Sequence, residues 1–241
     1  MWLARVGMLT RVSVALITGA SRGLGLALAR ALAQRGYSLV VDARGEAALA
    51  EAAGELERLT PTIAITGDVT EDRHRRELVD AGARLGCIDA LVNNAAILGP
   101  SPPPRLADLT IDELRLLYEV NVLAPLRLFQ LAAPHLVRAG GCVVNVSSEA
   151  AVGAFAEWGG YGSSKAALDQ ISAVLAVEHP ELGVYWVDPG DMNTQMEKEG
   201  FPDEDISDRP DPEISVPGFL TLLEQRPPSG RYRAQEMGSR T

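Results

Sequence analysis

A tyrosine and a lysine four residues apart are the side chains of this sequence best suited to acid–base chemistry. They bound the segment Tyr161-Gly162-Ser163-Ser164-Lys165, and this spacing places both on one face of a helix. An ammonium beside a phenol stabilises the phenolate, so the pair is a candidate for moving a proton. Because the spacing alone arises by chance in roughly every second chain of this size, its meaning depends on the surrounding sequence.

A serine lies thirteen residues before Tyr161, just after a short β-branched run. The run is Val-Val-Asn-Val at residues 143–146, followed by Ser147 and Ser148. A hydroxyl at the end of a buried strand is placed to donate a hydrogen bond to a substrate oxygen that gains negative charge. The adjacent Ser147 is the alternative to Ser148, and the thirteen-residue spacing favours Ser148.

A glycine-rich stretch follows the first predicted strand. Residues 18–25 are Thr-Gly-Ala-Ser-Arg-Gly-Leu-Gly. Glycines allow a tight turn and a close approach of the backbone to a pyrophosphate, which then meets the unpaired N–H groups of the following helix. With a strand before it and a helix after it, the stretch predicts a nucleotide-binding turn.

The remaining sequence alternates short apolar runs with longer helical segments. The runs are nearly continuous, which is typical of parallel strands buried on both faces. The predicted strands are 12–18, 38–41, 62–66, 90–92, 142–146 and 183–187, and the predicted helices are 24–35, 47–59, 72–84, 111–138 and 163–178. A short helix near 219–224 and a last strand near 231–234 follow. This order predicts a single-domain α/β fold over residues 1–241: a Rossmann-type, doubly wound parallel sheet with helices on both faces.

Taken together, the sequence resembles the short-chain dehydrogenase/reductase family over residues 18–194. The glycine spacing is the family's Thr-Gly-x-x-x-Gly-x-Gly rather than the Gly-x-Gly-x-x-Gly of other dehydrogenases. Asp68 and Val69 match the family's adenine contact. Residues 93–96, Asn-Asn-Ala-Ala, match its Asn-Asn-Ala-Gly, which stabilises the sheet and passes beside the cofactor; Ala96 departs from that pattern.

The resemblance also implies a cofactor site. Pro189, Gly190 and Thr194 match the family's turn and hydroxyl that hold the nicotinamide carboxamide. The residues expected to bind the cofactor are Gly19, Ser21, Arg22, Gly23, Leu24, Gly25, Arg44, Asp68, Val69, Asn94, Ala95, Tyr161, Lys165, Pro189, Gly190 and Thr194.

NADP(H) is the expected cofactor. In the family an acid after the second strand binds the ribose diol of NAD, and an arginine at the next position meets the 2′-phosphate of NADP. Those positions are Ala43 and Arg44 here, and Arg22 is a second cation on the same side. A one-residue shift would place Asp42 on the diol and favour NAD(H), which stays the alternative.

The resemblance gives the catalytic residues as Ser148, Tyr161, Lys165 and Asn121. Reducing a carbonyl requires a hydride at carbon and a proton at oxygen, and Tyr161 would supply the proton. Lowering a phenol pKa from ~10 to ~7 requires about 4 kcal/mol, expected from Lys165 and the nicotinamide ring. Ser148 would position the substrate oxygen. The backbone carbonyl of Asn121 would hold a water linking Lys165 to solvent, and Asn121 also suits a helix kink before Pro125.

The expected activity is therefore NADP(H)-dependent reduction of a ketone or aldehyde, with a small carbonyl or alcohol molecule as the substrate. The same residues also serve a dehydrogenase that oxidises an alcohol, which is the alternative. A non-catalytic nucleotide sensor would usually lack the tyrosine or lysine. Sugar-nucleotide epimerases and dehydratases carry a different glycine spacing and a larger C-terminal domain.

Composition limits the partners and the compartment. The chain has 22 basic and 32 acidic residues, for a net charge of −10, which argues against nucleic acid and anionic membranes. Two cysteines without metal spacing indicate buried thiols in a reducing compartment. His74, His135 and His179 are scattered, so we expect surface or helix-end histidines and no metal. Residues 1–20 superficially resemble a signal peptide, but cleavage there would destroy the glycine turn. A buried first strand and a cytoplasmic protein are expected, with Met8 as an alternative start.

Two features concern the surface. Residues 201–217 are acidic and proline-rich, which predicts a loop, and residues 191–217 are expected to act as a substrate lid. Met192, Met196 and Phe201 would cover an apolar or aromatic carbonyl substrate, with Phe155 and Trp158 on the opposite wall; a loop that only aids solubility is the alternative.

The family pairs through helices that correspond to 111–138 and 163–178, which implies a homodimer or homotetramer. The apolar residues that favour this are Ala166, Ala167, Ile171, Val174 and Leu175.

Overall fold

A computed structural model describes residues 12–237 of the chain, so the alternative start at Met8 lies outside the described residues. Within them, seven parallel strands form one sheet in the order β3-β2-β1-β4-β5-β6-β7. The strands are β1 Ser13–Ile17, β2 Ser38–Ala43, β3 Thr62–Thr66, β4 Cys87–Asn93, β5 Cys142–Val146, β6 Gly183–Asp188 and β7 Gly230–Arg233. The order reverses between β1 and β4, which creates the crevice where open α/β sheets bind ligands.

Helices connect the strands and cover both faces of the sheet. They are α1 Gly23–Gln34, α2 Glu46–Leu56, α3 Asp72–Leu85, α4 Ile111–Tyr118, α5 Ala124–Ala139, α6 Gly159–Glu178, α7 Gln195–Gly200, α8 Val216–Gln225 and α9 Ala234–Met237. Single 3-10 turns lie at Glu149–Ala151 and Pro212–Ile214. On one face the sheet packs against α1, α2 and α8, and on the other against α3, α5 and α6. The predicted doubly wound fold is confirmed.

The predicted helix 111–138 is interrupted by a π-helical turn. Residues Glu119–Leu123 form this turn between α4 and α5, and Asn121 lies inside it. Pro125, in the first turn of α5, has no N–H to donate to the carbonyl four residues earlier, which is that of Asn121. The kink expected before Pro125 therefore takes the form of this π-helical turn, which is wider than an α-helical turn.

The C-terminal part is more ordered than the sequence predicted. The loop expected over 201–217 ends early, because α8 begins at Val216 rather than near Phe219. Pro217 lies in the first turn of α8, where a missing N–H costs nothing. The lid segment 191–217 also contains α7 and the Pro212–Ile214 turn. The last strand, Gly230–Arg233, lies one residue earlier than predicted.

One helical segment of the described chain, Ile111–Ala139, is long and apolar enough to cross a membrane by length and composition. The sequence analysis did not single it out. Half of its most apolar window is buried inside the protein, and α5 contributes Leu128, Phe129 and Leu136 to the core beside β4. Burial in the core accounts for its apolar face.

Candidate active site

A cleft of about 1780 Å³ lies at the carboxyl ends of the central strands. The predicted site residues that line it are Gly19, Ser21, Arg22, Gly23, Leu24, Arg44, Asp68, Val69, Asn94, Ala95, Ser148, Tyr161, Lys165, Pro189, Gly190 and Thr194. Gly25 and Asn121 do not line the cleft, and each lies behind residues that do. The structure therefore brings the two predicted groups, nucleotide-binding and catalytic, to one place.

The glycine turn between β1 and α1 needs its glycines. Gly19 and Gly23 have φ values of 67° and 56°, which side chains other than glycine rarely adopt. A Cβ on Gly25 would lie 2.4 Å from the carbonyl oxygen of Gly19, so only glycine lets α1 fold back on the turn. Arg22 precedes α1 and makes no side-chain cap, so the first N–H groups of the helix face the cleft and fit a pyrophosphate.

The two residues that follow β4, Asn94 and Ala95, hold this turn in place. Both backbone N–H groups donate to the Thr18 hydroxyl at 3.0 Å. The Asn94 side-chain amide donates to the carbonyls of Thr18 and Gly19 at 2.8 and 3.1 Å. The predicted cofactor motif at residues 93–96 thus fixes the position of the glycine turn through these hydrogen bonds.

Arg44, just after β2, and Arg22, just before α1, are exposed to the cleft, whereas Asp42, which also lines it, is buried. Asp42 is 1% exposed; its Oδ1 accepts the Gly19 N–H at 2.8 Å and its Oδ2 lies 2.9 Å from His74 Nε2. The one-residue shift that would place Asp42 on a ribose diol is therefore not seen. His74 lies in the first turn of α3, as the helix-end alternative expected, and its ring is buried rather than at the surface.

Asp68 and Val69 lie where β3 ends, as predicted. Val69 is buried and Asp68 accepts hydrogen bonds from the N–H and hydroxyl of Thr70, at 2.9 and 2.8 Å. Burial alone would raise the pKa of Asp68, but these bonds, with smaller effects of Arg44 and His74, hold it below its ordinary value. Asp68 is therefore an anionic acceptor at the cleft wall.

Tyr161 and Ser148 meet at the base of the cleft. Tyr161 lies in the first turn of α6, which begins at Gly159 rather than at the predicted residue 163. It is 9% exposed. Burial raises its pKa above the ordinary value, Glu197 and Asp188 add to this, and a hydrogen bond with Ser148 opposes it. The choice of Ser148 over Ser147 stays a prediction, since both line the cleft. The expected lowering of the phenol pKa does not hold for the protein itself, because desolvation dominates.

Lys165 lies beneath Tyr161 on the same helix face. Its ammonium is 5.5 Å from the centre of the Tyr161 ring and donates to the Val146 carbonyl at 2.7 Å. Burial lowers the pKa of Lys165 to about 8, and Asp169 opposes the shift. A lysine of this pKa can exchange a proton near neutral pH.

The Asn121 side chain supports the tyrosine from behind. It accepts from the Ile97 N–H and donates to the Ile97 carbonyl, both at 2.9 Å. It also donates to the Ser164 hydroxyl at 3.0 Å, which donates in turn to the Tyr161 carbonyl at 2.7 Å. Asn121 thus connects the π-helical turn to the first turn of α6, which is the structural part of its expected role.

The lid segment 191–217 closes one side of the cleft. Gly190, with φ of 76°, donates its N–H to Asp188 Oδ1 at 3.0 Å, and Thr194 caps α7 by accepting the Glu197 N–H at 3.2 Å. Phe201 packs on Trp158 with ring centres 5.2 Å apart, and Trp158 on Tyr161 at 5.9 Å. Phe201 and Trp158, predicted on opposite walls, are in contact.

Sequence reasoning missed several residues that hold the site together. Asp169, Asp188 and Arg231 form a partly buried ionic group behind Ser148. Asn145 accepts from the Asn93 amide at 2.7 Å and joins β4 to β5. The only sequence signal for the first group is Asp169, four residues after Lys165 and hence on its helix face. In the described part of the chain, no cluster of three or more His, Cys, Asp or Glu is arranged to hold a metal.

Comparison with known proteins agrees with this geometry. A sequence profile of the short chain dehydrogenases matches residues 13–205. An uncharacterised oxidoreductase of Saccharomyces cerevisiae is 36% identical over 188 residues, covering 76% of this chain and 72% of the yeast protein. A solved short-chain dehydrogenase structure from Pseudomonas syringae superimposes with a TM-score of 0.87 at 31% identity, covering 94% of this chain and 96% of that one. A structure from Escherichia coli in complex with NADPH gives a TM-score of 0.85 at 28% identity, covering 92% and 96%.

Proposed function

This chain belongs to the short-chain dehydrogenase family of oxidoreductases, and we propose that it uses NADPH to reduce a ketone or aldehyde to an alcohol. The observation that carries the proposal is that Ser148, the buried phenol of Tyr161 and Lys165 line one cleft, with the Lys165 ammonium 5.5 Å from the centre of the Tyr161 ring. The glycine turn lines the same cleft. A bound nicotinamide supplies the hydride, and the protein must supply the proton.

The cofactor would be held by the residues that the cleft brings together. The N-terminus of α1 would receive the pyrophosphate, and Asp68 with Val69 would contact the adenine. Arg44 and Arg22 would meet a 2′-phosphate, since Asp42 is engaged with Gly19 and His74. The complex of the Escherichia coli relative with NADPH supports the choice. A charge-assisted hydrogen bond of about 1.5–3 kcal/mol corresponds to roughly 10- to 100-fold preference over NADH.

The protonated phenol of Tyr161 suits the reductive direction. A phenol whose pKa lies above its ordinary value is protonated at neutral pH and is ready to donate to the oxygen of a carbonyl. The Ser148 hydroxyl would donate a hydrogen bond to the same oxygen and fix its position. Lys165, with a pKa of about 8, would return a proton to Tyr161 after each turnover.

The walls of the cleft favour an apolar or aromatic carbonyl substrate. Leu98, Ala150, Trp158 and Met196 pack around Tyr161, and Phe201 lies against Trp158. Transferring apolar substrate surface to such walls gains roughly 25 cal/mol per Å². A phosphorylated substrate would have to place its charge beside Glu197 and Glu199, which also line the cleft.

A panel of aliphatic, aromatic and phosphorylated carbonyls, with NADPH oxidation followed by absorbance, tests the proposal. Tyr161→Phe should lose turnover and keep NADPH binding, because only the proton donor is removed. Tyr37→Phe is the matched control and should keep full activity, because Tyr37 lies just before the first residue of β2, away from the cleft at the carboxyl ends of the strands. If the Tyr161→Phe variant kept a tenth of wild-type activity, the assigned acid would be wrong. Oxidation of alcohols alone would favour the dehydrogenase direction, and NADPH binding without any turnover would favour a nucleotide sensor.

A further inference from the structure

Arg231, in the last strand of the sheet, contacts three elements that form the active site. Its Nη2 donates to the backbone carbonyl of Ser148 at 2.8 Å, and its Nε donates to Asp169 Oδ2 at 3.1 Å. The same Nη2 lies 3.6 Å from Asp188 Oδ2. One guanidinium thus joins the turn after β5, the helix of Tyr161 and Lys165, and the end of β6.

Each contact of Arg231 reaches a group that the proposed reaction needs. The Ser148 carbonyl also accepts the Ala151 N–H at 3.1 Å, so Arg231 fixes the 3-10 turn that begins at Ser148. Asp169 is four residues after Lys165 on α6, and burial raises its pKa against the opposing effect of Arg231 and Lys165. Without Arg231, this carboxylate would lose the ion pair that opposes the cost of its burial.

We propose that Arg231 is a positioning residue for the reaction, which holds Ser148 at the correct distance from Tyr161 and neutralises Asp169 beside Lys165. The inference rests on the proposed function. A guanidinium suits this role because its planar fork donates in two directions at once, whereas an ammonium is a single point charge. Arg233 also lies 3.5 Å from Asp188 Oδ2, so the β6 end keeps a cation when Arg231 is replaced.

The test compares Arg231→Met and Arg231→Lys with Arg35→Met. Arg35 pairs with Glu224 at the far end of α1, so its loss removes a cross-element ion pair distant from the cleft. Turnover is expressed per NADPH-binding site, measured by titration of the cofactor's fluorescence. We expect kcat to fall about 10- to 100-fold in Arg231→Met, since a displacement of about 1 Å costs this much, while the Kd for NADPH changes less than about threefold.

Hydrogen exchange provides a readout that is independent of activity. Amides of the Glu149–Ala151 turn should exchange faster in both Arg231 variants than in the wild type, and should be unchanged in Arg35→Met. Arg231→Lys keeps a cation for Asp169 and should retain the wild-type Tm, yet its kcat should stay about tenfold low because Ser148 is no longer held. Where Arg231→Met does not fold, the lysine variant alone decides the question.

Three outcomes would overturn the inference. They are an unchanged kcat per binding site in Arg231→Lys, an equal loss of kcat and of NADPH affinity, or exchange of the Glu149–Ala151 turn equal to that of the wild type. Failure of the proposed function is a different result, because the wild-type protein would then show no turnover with any carbonyl or alcohol.

Discussion

The Asp42 carboxylate joins His74 Nε2, at 2.9 Å, to the backbone N–H of Gly19, at 2.8 Å. The two side chains are 1% and 4% exposed, so water does not take part in the contact. A Cβ on Gly67 would lie 2.3 Å from His74 Nδ1, so the ring fits only above a glycine. The pair therefore links α3 and β2 to the first glycine of the cofactor turn.

His74→Leu should destabilise the protein and weaken NADPH binding. The substitution leaves one oxygen of a buried carboxylate without a partner, which costs about 1–3 kcal/mol, and it releases the Gly19 turn. Urea unfolding and cofactor titration measure the two effects. His74→Gln keeps a donor near the position of Nε2 and should recover part of both losses. His135→Leu, a half-buried histidine of α5, is the control; equal behaviour of the two leucine variants would contradict the prediction.

The local motifs were predictable because their physical cause lies within a few residues. The glycine turn, the Tyr161–Lys165 spacing and the strand ends at Asp68 and Asn94 follow from turn sterics and strand–helix order. The structure brings all of them to one cleft. The fold class followed from the same alternation of apolar runs and helical segments.

Element boundaries failed where local propensity and tertiary packing disagree. Helix α6 begins at Gly159 rather than at residue 163. The three glycines of its first turn have low helix propensity, so the sequence predicted a later start, and tertiary packing stabilises this turn instead. Strand β4 extends back to Cys87 although Asp89 interrupts the apolar run; the Asp89 carboxylate accepts the Val14 N–H at 3.1 Å, which satisfies it inside the sheet.

Contacts between distant residues could not be read from the sequence. Asp42 and His74 are 32 residues apart, and Arg231 and Ser148 are 83 apart. Neither pair has a spacing that a single element would bring together. Only the strand order, with β7 beside β6 and β3 beside β2, places the Asp42 and His74 side chains, and the Arg231 guanidinium and the Ser148 carbonyl, within hydrogen-bond distance.

The burial of Lys165 should give the protein a specific pH dependence of stability. Its pKa is lowered from 10.5 to about 8 in the folded state, so the unfolded chain binds one more proton between these pH values. Stability contributed by this site therefore rises with pH between about 8 and 10.5, by about 3 kcal/mol. The Lys165→Met variant has no ammonium at this site and should lack this pH dependence of stability. In urea titrations, the free energy of unfolding of the wild type minus that of the variant should increase as the pH rises over this range. A difference that stays constant with pH would contradict the assignment.

Arg44 should determine the preference for NADPH. Arg44→Ala removes a cation that faces the cleft, and kcat/KM with NADPH should fall roughly 10- to 100-fold, while kcat/KM with NADH changes little. Arg58→Ala, just beyond the end of α2, is a matched control for the loss of one surface charge. A wild-type kcat/KM higher with NADH than with NADPH would refute the cofactor assignment.

A homodimer or homotetramer is expected from the apolar surface of α5 and α6. Val137, Val174 and Val177 are 43%, 43% and 81% exposed, whereas Leu175, counted among the interface residues from sequence, is 7% exposed and belongs to the core. Light scattering at micromolar concentration should give at least twice the chain mass of 25.7 kDa. Val174→Glu should lower that mass, since an interface does not tolerate an unpaired charge. A monomeric wild type would refute the expectation.

Contacts among its own residues give the lid segment 191–217 a defined conformation. The Arg209 guanidinium lies 4.5 Å from the centre of the Phe201 ring and pairs with Glu197, and Ile206 is 2% exposed. It stays a prediction that the segment acts as a lid, opening and closing over the substrate.

Limited proteolysis with a glutamate-specific protease tests this prediction, because Glu197, Glu199, Glu204 and Glu213 all lie within 191–217. NADPH with a competing carbonyl inhibitor should slow cleavage there, since a ligand that contacts the closed segment lowers the population of the open one. Arg209→Met should speed cleavage roughly fivefold without ligand, as expected for a lost ion pair of about 1 kcal/mol, and leave all four sites intact. Cleavage after Glu51, on α2, is the internal control. If ligand changes cleavage at Glu51 and within 191–217 equally, or changes neither, the segment is a static loop and the lid is refuted.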